Sequence, residues 1–421
     1  MKVFKFGGGV IQDAAAIVQL RQVIQQEAPA VVVVSAMGKT TRMLEDVLQR
    51  RIDGISYETA LQALYSLYQG IIDQLLSERR HVASQAFREQ QVTLEQALTH
   101  PYTSVTHDRL YSKVVAWGEL VTSMIIFHYL VEQEQPCRWM DARTCIKTQG
   151  RLCHAAVDWP ATKEAIRRTL APIITEGATT VLTQGFIGSQ GEHTATLGKE
   201  GSDYTAAVLA AALGATSVTF WKDVPGIMNA DPKQYAQARQ FKLLAYQDMA
   251  TMAFCGAKVI HPGTLQPLSE HNISLHIRSF YHPQKLGTMV THQAPPITEP
   301  IYIIRDDQCL LQISVAGQYF FEEAHIQEVL QVLAQCNLSI QLLCRNACSL
   351  SVCITKDPFQ EKRALEGLSR KYVVKRHTSA RLFTALYPKR EELPSWVGKA
   401  TVLLTQRHQH IFQAVLEGAD A

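Results

Sequence analysis

The sequence predicts an α/β fold with a mainly parallel central sheet, followed by a second, smaller α+β domain. Two short segments, Lys2–Phe6 and Val31–Val34, have the character of strands, and the second is a continuous apolar run. Such a run is typical of a parallel strand that is buried on both faces. After a linker with three prolines at 292–300, strands and amphipathic helices follow one another in the order βαββαβ. This order is typical of a ferredoxin-like module.

Length and composition limit the class of protein. With 421 residues the chain is long for one hydrophobic core, so two or three domains are expected. It carries 41 Lys and Arg against 38 Asp and Glu, and this near balance gives no reason to expect binding to nucleic acid or to a membrane. The first residues lack the apolar core of a signal peptide, and the nine cysteines form no CxxC pair. We therefore expect a cytoplasmic protein.

The segment 181–215 passes from an apolar run through glycine-rich turns into a helix of small residues. Within it, the sequence GKEGSD at 198–203 places Lys199 beside the expected start of that helix, where Ser202 or Asp203 would cap free backbone N–H groups. A helix start with a lysine beside it is suited to hold an anion. A core helix would need only the cap, but the full cluster favours a polyanion site.

Glycines 7–9 directly follow the first strand, and Lys5 lies beside them. Glycines let backbone N–H groups approach a phosphate closely, and the lysine adds a positive charge, although a plain strand-to-helix turn would show the same pattern. The second strand ends in SAMGKTT at 35–41, which is not a P-loop because Val33 stands where that motif needs a glycine. What remains is a polar loop at the carboxyl end of a strand, where open α/β sheets bind ligands.

Glu119 lies in an otherwise apolar segment, 110–130, that is predicted to be a long helix. Its carboxylate is costly to bury without a partner. That partner could be the amino group of a substrate or a structural lysine. The residues alone favour the structural salt bridge.

The loop 221–233 follows a predicted strand and combines Lys222, Asp223 and Asp231 with rigid Pro and Gly turns. Nucleotide phosphates and their Mg²⁺ need such a mixture of charges, although a solvated turn would also tolerate it. Lys258 follows on a helix of small residues. These residues are candidates for the border of a nucleotide site.

Eight blocks, in order along nearly the whole chain, resemble the aspartate kinases of the amino-acid kinase superfamily, which carry a C-terminal ACT-type domain. They are KFGG at 5–8, VVVVSAMGKTT at 31–41, GE at 118–119, DAR at 141–143, GFIG at 185–188, TLGKEGSDYTAA at 196–207, WKDVPGIMNADP at 221–232 and GAKVIHP at 256–262. The last part of the chain resembles the shorter variant of the family, in which the second ACT unit is reduced.

The resemblance implies a three-layer α/β/α amino-acid kinase fold at 1–295 and a ferredoxin-like, ACT-type regulatory and dimerisation domain at 296–421. It also implies transfer of a phosphoryl group from Mg·ATP to the side-chain carboxylate of L-aspartate, the first step of lysine, threonine and methionine biosynthesis. A homodimer or a dimer of dimers is expected, with lysine or threonine as a possible effector bound near 337–353.

The resemblance also implies a role for each matching residue, and it assigns Mg²⁺ to the nucleotide rather than to a protein metal site. Lys5 and Asp203 would be catalytic, and Gly7 and Gly8 would bind phosphate. The aspartate ligands would be Thr40, Glu119, Lys199 and Ser202, and the ATP ligands would be Lys222, Asp223, Asp231 and Lys258. Because the acceptor carboxylate is already ionised at neutral pH, positioning and charge neutralisation would supply most of the catalysis.

Three departures from the family pattern affect these expectations. Gly9 and Val10 lack the hydroxyl that usually follows KFGG, and Lys199 replaces an arginine, which keeps the charge but loses the bidentate fork. Met228 stands where a tyrosine is frequent. Two alternatives therefore remain open at this point: an amino-acid-sensing regulatory protein with weak or no kinase activity, and a kinase of another acidic amino acid.

Overall fold

The computed structural model describes residues 1–103, 105–175, 179–257, 260–317, 320–388, 393–394, 397 and 400–417. The chain divides into two compact units, and their boundaries interleave along the sequence. The N-terminal unit comprises Met1–Ile227, Gln240–Met249 and Val259–Pro295, and the C-terminal unit comprises Met228–Arg239, Ala250–Lys258 and Pro296–Ala421.

The N-terminal unit alternates strands and helices. Its strands are β1 (Lys2–Phe6), β2 (Val31–Val34), β3 (Cys137–Met140), β4 (Thr148–Gln149), β5 (Ala156–Val157), β6 (Thr180–Gln184), β7 (Ile187–Gln190), β8 (His193–Thr196), β9 (Ser217–Lys222), β10 (Leu243–Ala245), β11 (Ser274–Ser279) and β12 (Thr288–Thr291). Its helices are α1 (Ala14–Glu27), α2 (Thr40–Ile52), α3 (Glu58–Leu75), α4 (Arg80–Thr99), α5 (His107–Glu132), α6 (Ala142–Cys145), α7 (Trp159–Thr169), α8 (Ala171–Thr175), α9 (Gly201–Leu213) and α11 (Pro262–Glu270), while α10 (Tyr246–Phe254) continues into residues of the other unit.

Eight of these strands form one sheet in the order β10-β12-β11-β9-β1-β2-β6-β3. Every neighbouring pair is parallel except β11 with β12, so the predicted mainly parallel sheet is confirmed. β2 is buried along its whole length, as its four valines predict. The carboxyl ends of β1, β2, β6 and β9 meet at one edge of the sheet, which is the edge where such folds bind ligands.

The helix α5 runs through the core of this unit. It is long and apolar enough to cross a membrane by length and composition, but 83% of that apolar window is buried inside the protein. Tyr68 of α3 lies edge-on to Trp117 of α5, with the ring centroids 5.4 Å apart. The Tyr68 hydroxyl also hydrogen-bonds the carbonyl oxygen of Gly118, 3.3 Å away. These contacts fix the position of the turn of α5 that carries Glu119 relative to α3.

The C-terminal unit contains β13 (Ile301–Ser314), α12 (Glu323–Gln335), β14 (Ile340–Arg345), β15 (Ser349–Thr355), α13 (Pro358–Leu368), β16 (Val373–Leu386), β17 (Val402–His408) and β18 (Ile411–Glu417). The strands form one antiparallel sheet in the order β14-β15-β13-β16-β18-β17. The first six elements follow the βαββαβ order that the sequence predicts. β13 and β16 are longer than the sequence pattern indicates, because the two strands pair from Ile301 with Leu386 to Ser314 with Val373.

Candidate active site

A cavity of about 640 Å³ opens in the N-terminal unit at the carboxyl edge of the parallel sheet. Its wall is formed mainly by the β1–α1 loop, the β2–α2 loop with the start of α2, part of α5, residues 198–203 at the start of α9, and the end of β9, and His154 and Phe186 also contribute. These segments lie far apart in the sequence, and the sheet topology brings them together because their strands are neighbours. Of the twelve predicted site residues, nine line the cavity: Lys5, Gly7, Gly8, Glu119, Lys199, Ser202, Asp203, Lys222 and Asp223.

Two lysines share the carboxylate of Asp203. Lys5 Nζ lies 2.5 Å from Asp203 Oδ1, and Lys222 Nζ lies 3.0 Å from Asp203 Oδ2. Asp203 is only 2% exposed. Its burial alone would raise its pKa, but the charges of Lys5 and Lys222 and their hydrogen bonds outweigh burial, so the pKa of Asp203 is lowered. The carboxylate is therefore ionised at neutral pH, and it holds two ammonium groups side by side in the cavity wall.

The main chain positions each member of this group. Lys5 belongs to β1, which lies between β2 and β9 in the sheet, and Lys222 is the last residue of β9. Asp203 is in the first turn of α9, where an acidic side chain is favoured by the positive end of the helix. Two neighbouring strands and the first turn of a helix thus bring the charged groups of Lys5, Lys222 and Asp203 into contact.

Gly8 allows the two glycine-rich loops to touch through their backbones. A Cβ at Gly8 would lie 2.5 Å from the carbonyl oxygen of Ala36, so any larger residue would push the loops apart. The amide of Gly38 donates to the carbonyl oxygens of Gly8 and Ile11, at 3.1 and 2.8 Å. The close approach places the amide-rich start of the β1–α1 loop beside Lys5, as a phosphate-binding loop requires.

Glu119 of α5 is a second buried carboxylate in the cavity wall. It is 3% exposed, and Gly118 lets α5 approach the β2–α2 loop, since a Cβ there would lie 3.0 Å from Ala36 Cβ. Burial raises the pKa of Glu119 to about 8, against smaller lowering effects from backbone hydrogen bonds, including one to Ala36, and from the charge of Lys5. Over the described ranges of the chain, its Oε2 atom has no hydrogen-bond partner. Among the described residues, the structural salt bridge that the residues alone favour is not found.

The start of α9 differs from the sequence prediction. The helix begins at Gly201, and Glu200 is its N-cap, so Ser202 and Asp203 lie inside the first turn and do not cap it. Glu200 has a φ of +57° and Gly198 a φ of +75°, which places both in the left-handed region. This tight turn moves the helix start by two residues, and it frees the Asp203 carboxylate to pair with the two lysines.

Thr40 does not line the cavity, and its neighbour Thr41 does. The Thr40 hydroxyl is fully buried, where it donates to the Met37 carbonyl oxygen at 2.6 Å and accepts from the Tyr68 hydroxyl at 3.1 Å. Both threonines belong to the first turn of α2, and successive helical residues point about 100° apart. Thr40 therefore stabilises the β2–α2 loop from the protein interior, and Thr41 is the threonine available to a ligand.

Two other predicted residues are not part of the cavity wall described above. Asp231 belongs to the C-terminal unit, where its carboxylate accepts the backbone N–H of Lys233 at 2.9 Å. Lys258 lies outside the described residues. The roles of both residues in nucleotide binding stay predictions.

The wall contains polar side chains that the sequence analysis did not assign to the site, among them Thr41, Glu45, Tyr111, His154 and Glu200. The Tyr111 hydroxyl donates to Glu45 Oε1 at 2.8 Å, and burial is the first cause that raises the pKa of Tyr111. Helical spacing was the available signal, since Glu45 is four residues after Thr41 and Tyr111 is eight before Glu119. The wall also includes Gly9 and Val10, so the missing hydroxyl of the family pattern falls inside the site.

The donor set does not resemble a protein-bound metal centre. Within the described part of the chain, no three His, Cys, Asp or Glu side chains are grouped so that they could hold a metal ion. Asp203 lies at the cavity, but lysines occupy both of its carboxylate oxygens. The arrangement fits a Mg²⁺ whose ligands are mainly phosphate oxygens and water, and its arrival with ATP stays a prediction.

Comparisons with known proteins agree with this geometry. The model of the amino acid kinase family matches residues 1–279. The lysine-sensitive aspartokinase 3 of Escherichia coli is 32% identical over 362 residues, which cover 84% of this chain and 78% of that protein.

Solved structures extend the likeness to the whole chain. The crystal structure of E. coli aspartokinase III in complex with lysine and aspartate matches with a TM-score of 0.82 at 27% identity, and it covers 99% of this chain and 96% of that one. The same enzyme in complex with aspartate and ADP matches with the same TM-score at 26% identity and the same coverage. The fold, the ordered motifs and these matches show that the chain belongs to the amino acid kinase family, among its aspartokinases.

Proposed function

We propose that this chain transfers the γ-phosphoryl group of ATP to the side-chain carboxylate of L-aspartate, giving 4-phospho-L-aspartate and ADP. The observation that carries the proposal is the pairing, in one cavity, of the Lys5–Asp203–Lys222 group with a buried Glu119 whose Oε2 atom lacks a partner among the described residues. The two ammonium groups of the Lys5–Asp203–Lys222 group can bind phosphate oxygens, and the carboxylate of Glu119 can bind an ammonium group. One relative of this chain, E. coli aspartokinase III, has been solved with aspartate and ADP bound.

The reaction needs little acid–base chemistry. One oxygen of the substrate side-chain carboxylate attacks the γ-phosphorus, the bond from phosphorus to the bridging oxygen breaks, and ADP leaves with the electron pair. Lys5 and Lys222 offer ammonium groups to the oxygens on which charge accumulates, and Asp203 keeps both groups in place before the substrate binds. A Mg²⁺ bound to the nucleotide would neutralise further phosphate charge.

Substrate binding uses the other residues of the wall. Glu119 accepts the α-ammonium group, which supplies the cation that its buried carboxylate lacks. Lys199 and Ser202, at the start of α9, hold the α-carboxylate, and Thr41 takes the place that the sequence analysis assigned to Thr40. Asp223 borders the nucleotide at the end of β9.

An assay that traps the acyl phosphate with hydroxylamine tests the proposal. The purified chain is incubated with ATP, Mg²⁺ and L-aspartate, and in parallel with L-glutamate and with N-acetyl-L-glutamate. We expect hydroxamate with aspartate only. Aspartate binding without any product would favour the sensing protein, and product with glutamate alone would favour a kinase of another acidic amino acid.

We also propose that residues 296–421 form an ACT-type regulatory and dimerisation domain of a cytoplasmic homodimer or dimer of dimers in lysine, threonine and methionine biosynthesis. The antiparallel sheet with α12 and α13 supports the ACT-type assignment, and lysine is bound in a solved relative. Residues 337–353, in β14 and β15, are the proposed effector neighbourhood. Inhibition and thermal-shift measurements with lysine and threonine test this regulation, and sedimentation analysis tests the dimer.

A further inference from the structure

Glu200 occupies a conformation that is costly for its residue type. Its φ is +57°, in the left-handed region where a Cβ clashes with the following carbonyl oxygen. Its side chain makes no capping hydrogen bond to the first turn of α9, although it is the N-cap residue. A glycine would take this conformation without strain. The chain instead keeps an acidic side chain there.

Among the described residues, no hydrogen-bond partner of the buried Glu200 oxygen explains the presence of this side chain. It lines the cavity, and its Oε2 atom is buried without a hydrogen-bond partner in the described parts of the chain. Two other acids of the wall do have partners: Asp203 pairs with two lysines, and Glu45 accepts a hydrogen bond from the Tyr111 hydroxyl. Glu119 also has a buried oxygen without a partner among the described residues, but the proposed function assigns the substrate ammonium group to it. Strain together with an unpartnered charge at a site points to a role toward the ligand.

The surroundings of Glu200 are those that would attract a carboxylate. Lys199 precedes it and the N-terminus of α9 follows it, and both contribute positive potential. Gly198 and Glu200 are left-handed while Lys199 between them is not, and such alternation turns backbone N–H groups toward one side. The negative charge of Glu200 lies within this positive region, where it opposes the binding of a second anion.

We propose that Glu200 is a specificity-determining residue that weakens the hold of the cavity on the α-carboxylate of its substrate. This inference rests on the proposed function, because it takes aspartate as the substrate. As a consequence, the difference in affinity between aspartate and its α-amide, L-isoasparagine, is smaller than it would be without the charge of Glu200. L-isoasparagine keeps the phosphoryl-accepting carboxylate and the α-ammonium group but has no α-carboxylate. The residue is expected to change substrate affinity and to leave the phosphoryl transfer step unchanged.

The test is Glu200→Gln, which keeps the length of the side chain and the backbone strain but removes the charge. The KM for aspartate is expected to fall about three- to tenfold at low ionic strength, while kcat stays within about twofold. The KM for L-isoasparagine is expected to stay unchanged, because this analogue lacks the repelled group. Glu192→Gln, in the exposed turn between β7 and β8, removes one negative charge away from the cavity and should alter neither constant.

A second variant separates charge from backbone strain. Glu200→Gly removes both, so it should show the same fall in the aspartate KM together with a higher melting temperature. If Glu200→Gly raises the melting temperature while Glu200→Gln leaves the aspartate KM unchanged, Glu200 is only a strained turn residue and the inference is overturned. Equal changes for aspartate and L-isoasparagine would overturn it too.

Failure of the proposed function gives a different result from failure of this inference. The first shows as the absence of aspartate-dependent hydroxamate in the unaltered protein. In that case calorimetric binding of aspartate and L-isoasparagine to the unaltered protein and to Glu200→Gln still tests the residue. The inference requires tighter aspartate binding in the variant with no gain for the α-amide, and any other result, including no binding to either protein, contradicts it.

Discussion

Asp203 and Glu119 are two carboxylates in the wall of one cavity, exposed by 2% and 3%, and yet their environments shift their pKa in opposite directions. Two lysines neutralise Asp203 and lower its pKa, whereas burial raises the pKa of Glu119 to about 8. Burial is similar in the two cases, so the neighbouring cations account for the difference. Asp203 has its cations within the fold, and we propose that Glu119 receives its cation from the substrate.

This comparison assigns the two ends of the cavity. The Asp203 end is pre-organised, because its charges are in place before any ligand arrives, as electrostatic catalysis requires. At the Glu119 end, backbone hydrogen bonds and the charge of Lys5 offset only part of the effect of burial, and we propose that a bound ammonium group supplies the rest. Variants of Lys5, Glu119, Asp203 and Lys199 test this assignment, from the largest expected effect to the smallest.

Removal of Lys5 should have the largest effect. Lys5→Met keeps the length of the side chain but removes one of the two ammonium groups that hold Asp203. We expect kcat for the aspartate-dependent reaction to fall roughly 10²–10³-fold, because a pre-organised donor is lost at the site of charge development. The hydroxamate assay measures it. The matched control is Lys2→Met on the same strand, since Lys2 is exposed and pairs with Glu27; a comparable loss in the control would contradict the assignment.

Glu119→Gln and Asp203→Asn should change stability in opposite directions. Glu119→Gln removes a carboxylate whose ionisation is opposed by burial, so we expect the free energy of unfolding at pH 7.5 to rise by roughly 1–3 kcal/mol. Asp203→Asn leaves two adjacent lysines without their acid and should lower it by roughly 3 kcal/mol or more. Chemical denaturation of both variants measures the difference.

Glu119→Gln should also raise the aspartate KM by roughly 10–100-fold, since a hydrogen bond to a charged group is lost. The protein would thus be more stable and less able to bind its substrate. A variant that loses stability and keeps its aspartate KM would show that Glu119 is a structural residue.

The pH dependence of stability follows from the same shift. The pKa of Glu119 is about 8 in the folded protein and near 4.5 when it is unperturbed, so its contribution to stability is fully present below about pH 4.5 and is lost as the pH rises through 8. We expect the unaltered protein to lose more stability than Glu119→Gln between pH 5 and pH 8.5. Asp203 has the opposite sign, because its contribution is lost as the pH falls through its lowered pKa. Parallel profiles for the two proteins would contradict the raised pKa.

The smallest effect concerns Lys199. Lys199→Arg restores a bidentate fork at the start of α9, and we expect the aspartate KM to fall a few-fold with kcat nearly unchanged. Steady-state kinetics over a range of aspartate concentrations measures it. An unchanged or higher KM would show that the lysine is not a weaker substitute for arginine at this position.

The sequence predicted those features that depend on strand order and residue type. The valines of β2 specify a strand buried on both faces, and residues at the ends of parallel strands converge, so Lys5, Lys222 and Asp203 could be predicted to meet. The pairing of all three in one ion-pair group could not be predicted, because it depends on an N-cap of α9 at Glu200 rather than at Ser202.

The remaining differences between the sequence prediction and the structure have two origins. One is which face of a helix meets the cavity, and the other is how the chain divides into its two units. A shift of one residue on α2 separates the buried Thr40 from the accessible Thr41, and sequence periodicity does not fix which face of α2 meets the cavity. Glu45 and Tyr111 lie on helices whose facing sides only the packed structure defines. Residues 228–239 and 250–258 belong to the C-terminal unit. The proline-rich linker at 292–300 predicted one boundary, so the sequence did not indicate that these two earlier segments join that unit.

The count of protons released when aspartate binds tests the central comparison most directly. At pH 7 the free protein should hold a proton on Glu119, and the substrate ammonium should displace it, whereas Asp203 is ionised throughout. Calorimetric titrations in two buffers of different ionisation enthalpy give this number. We predict the release of nearly one proton per site at pH 7, falling toward zero above pH 9 and in Glu119→Gln at any pH at which it still binds. Binding at pH 7 with no proton release would contradict the account.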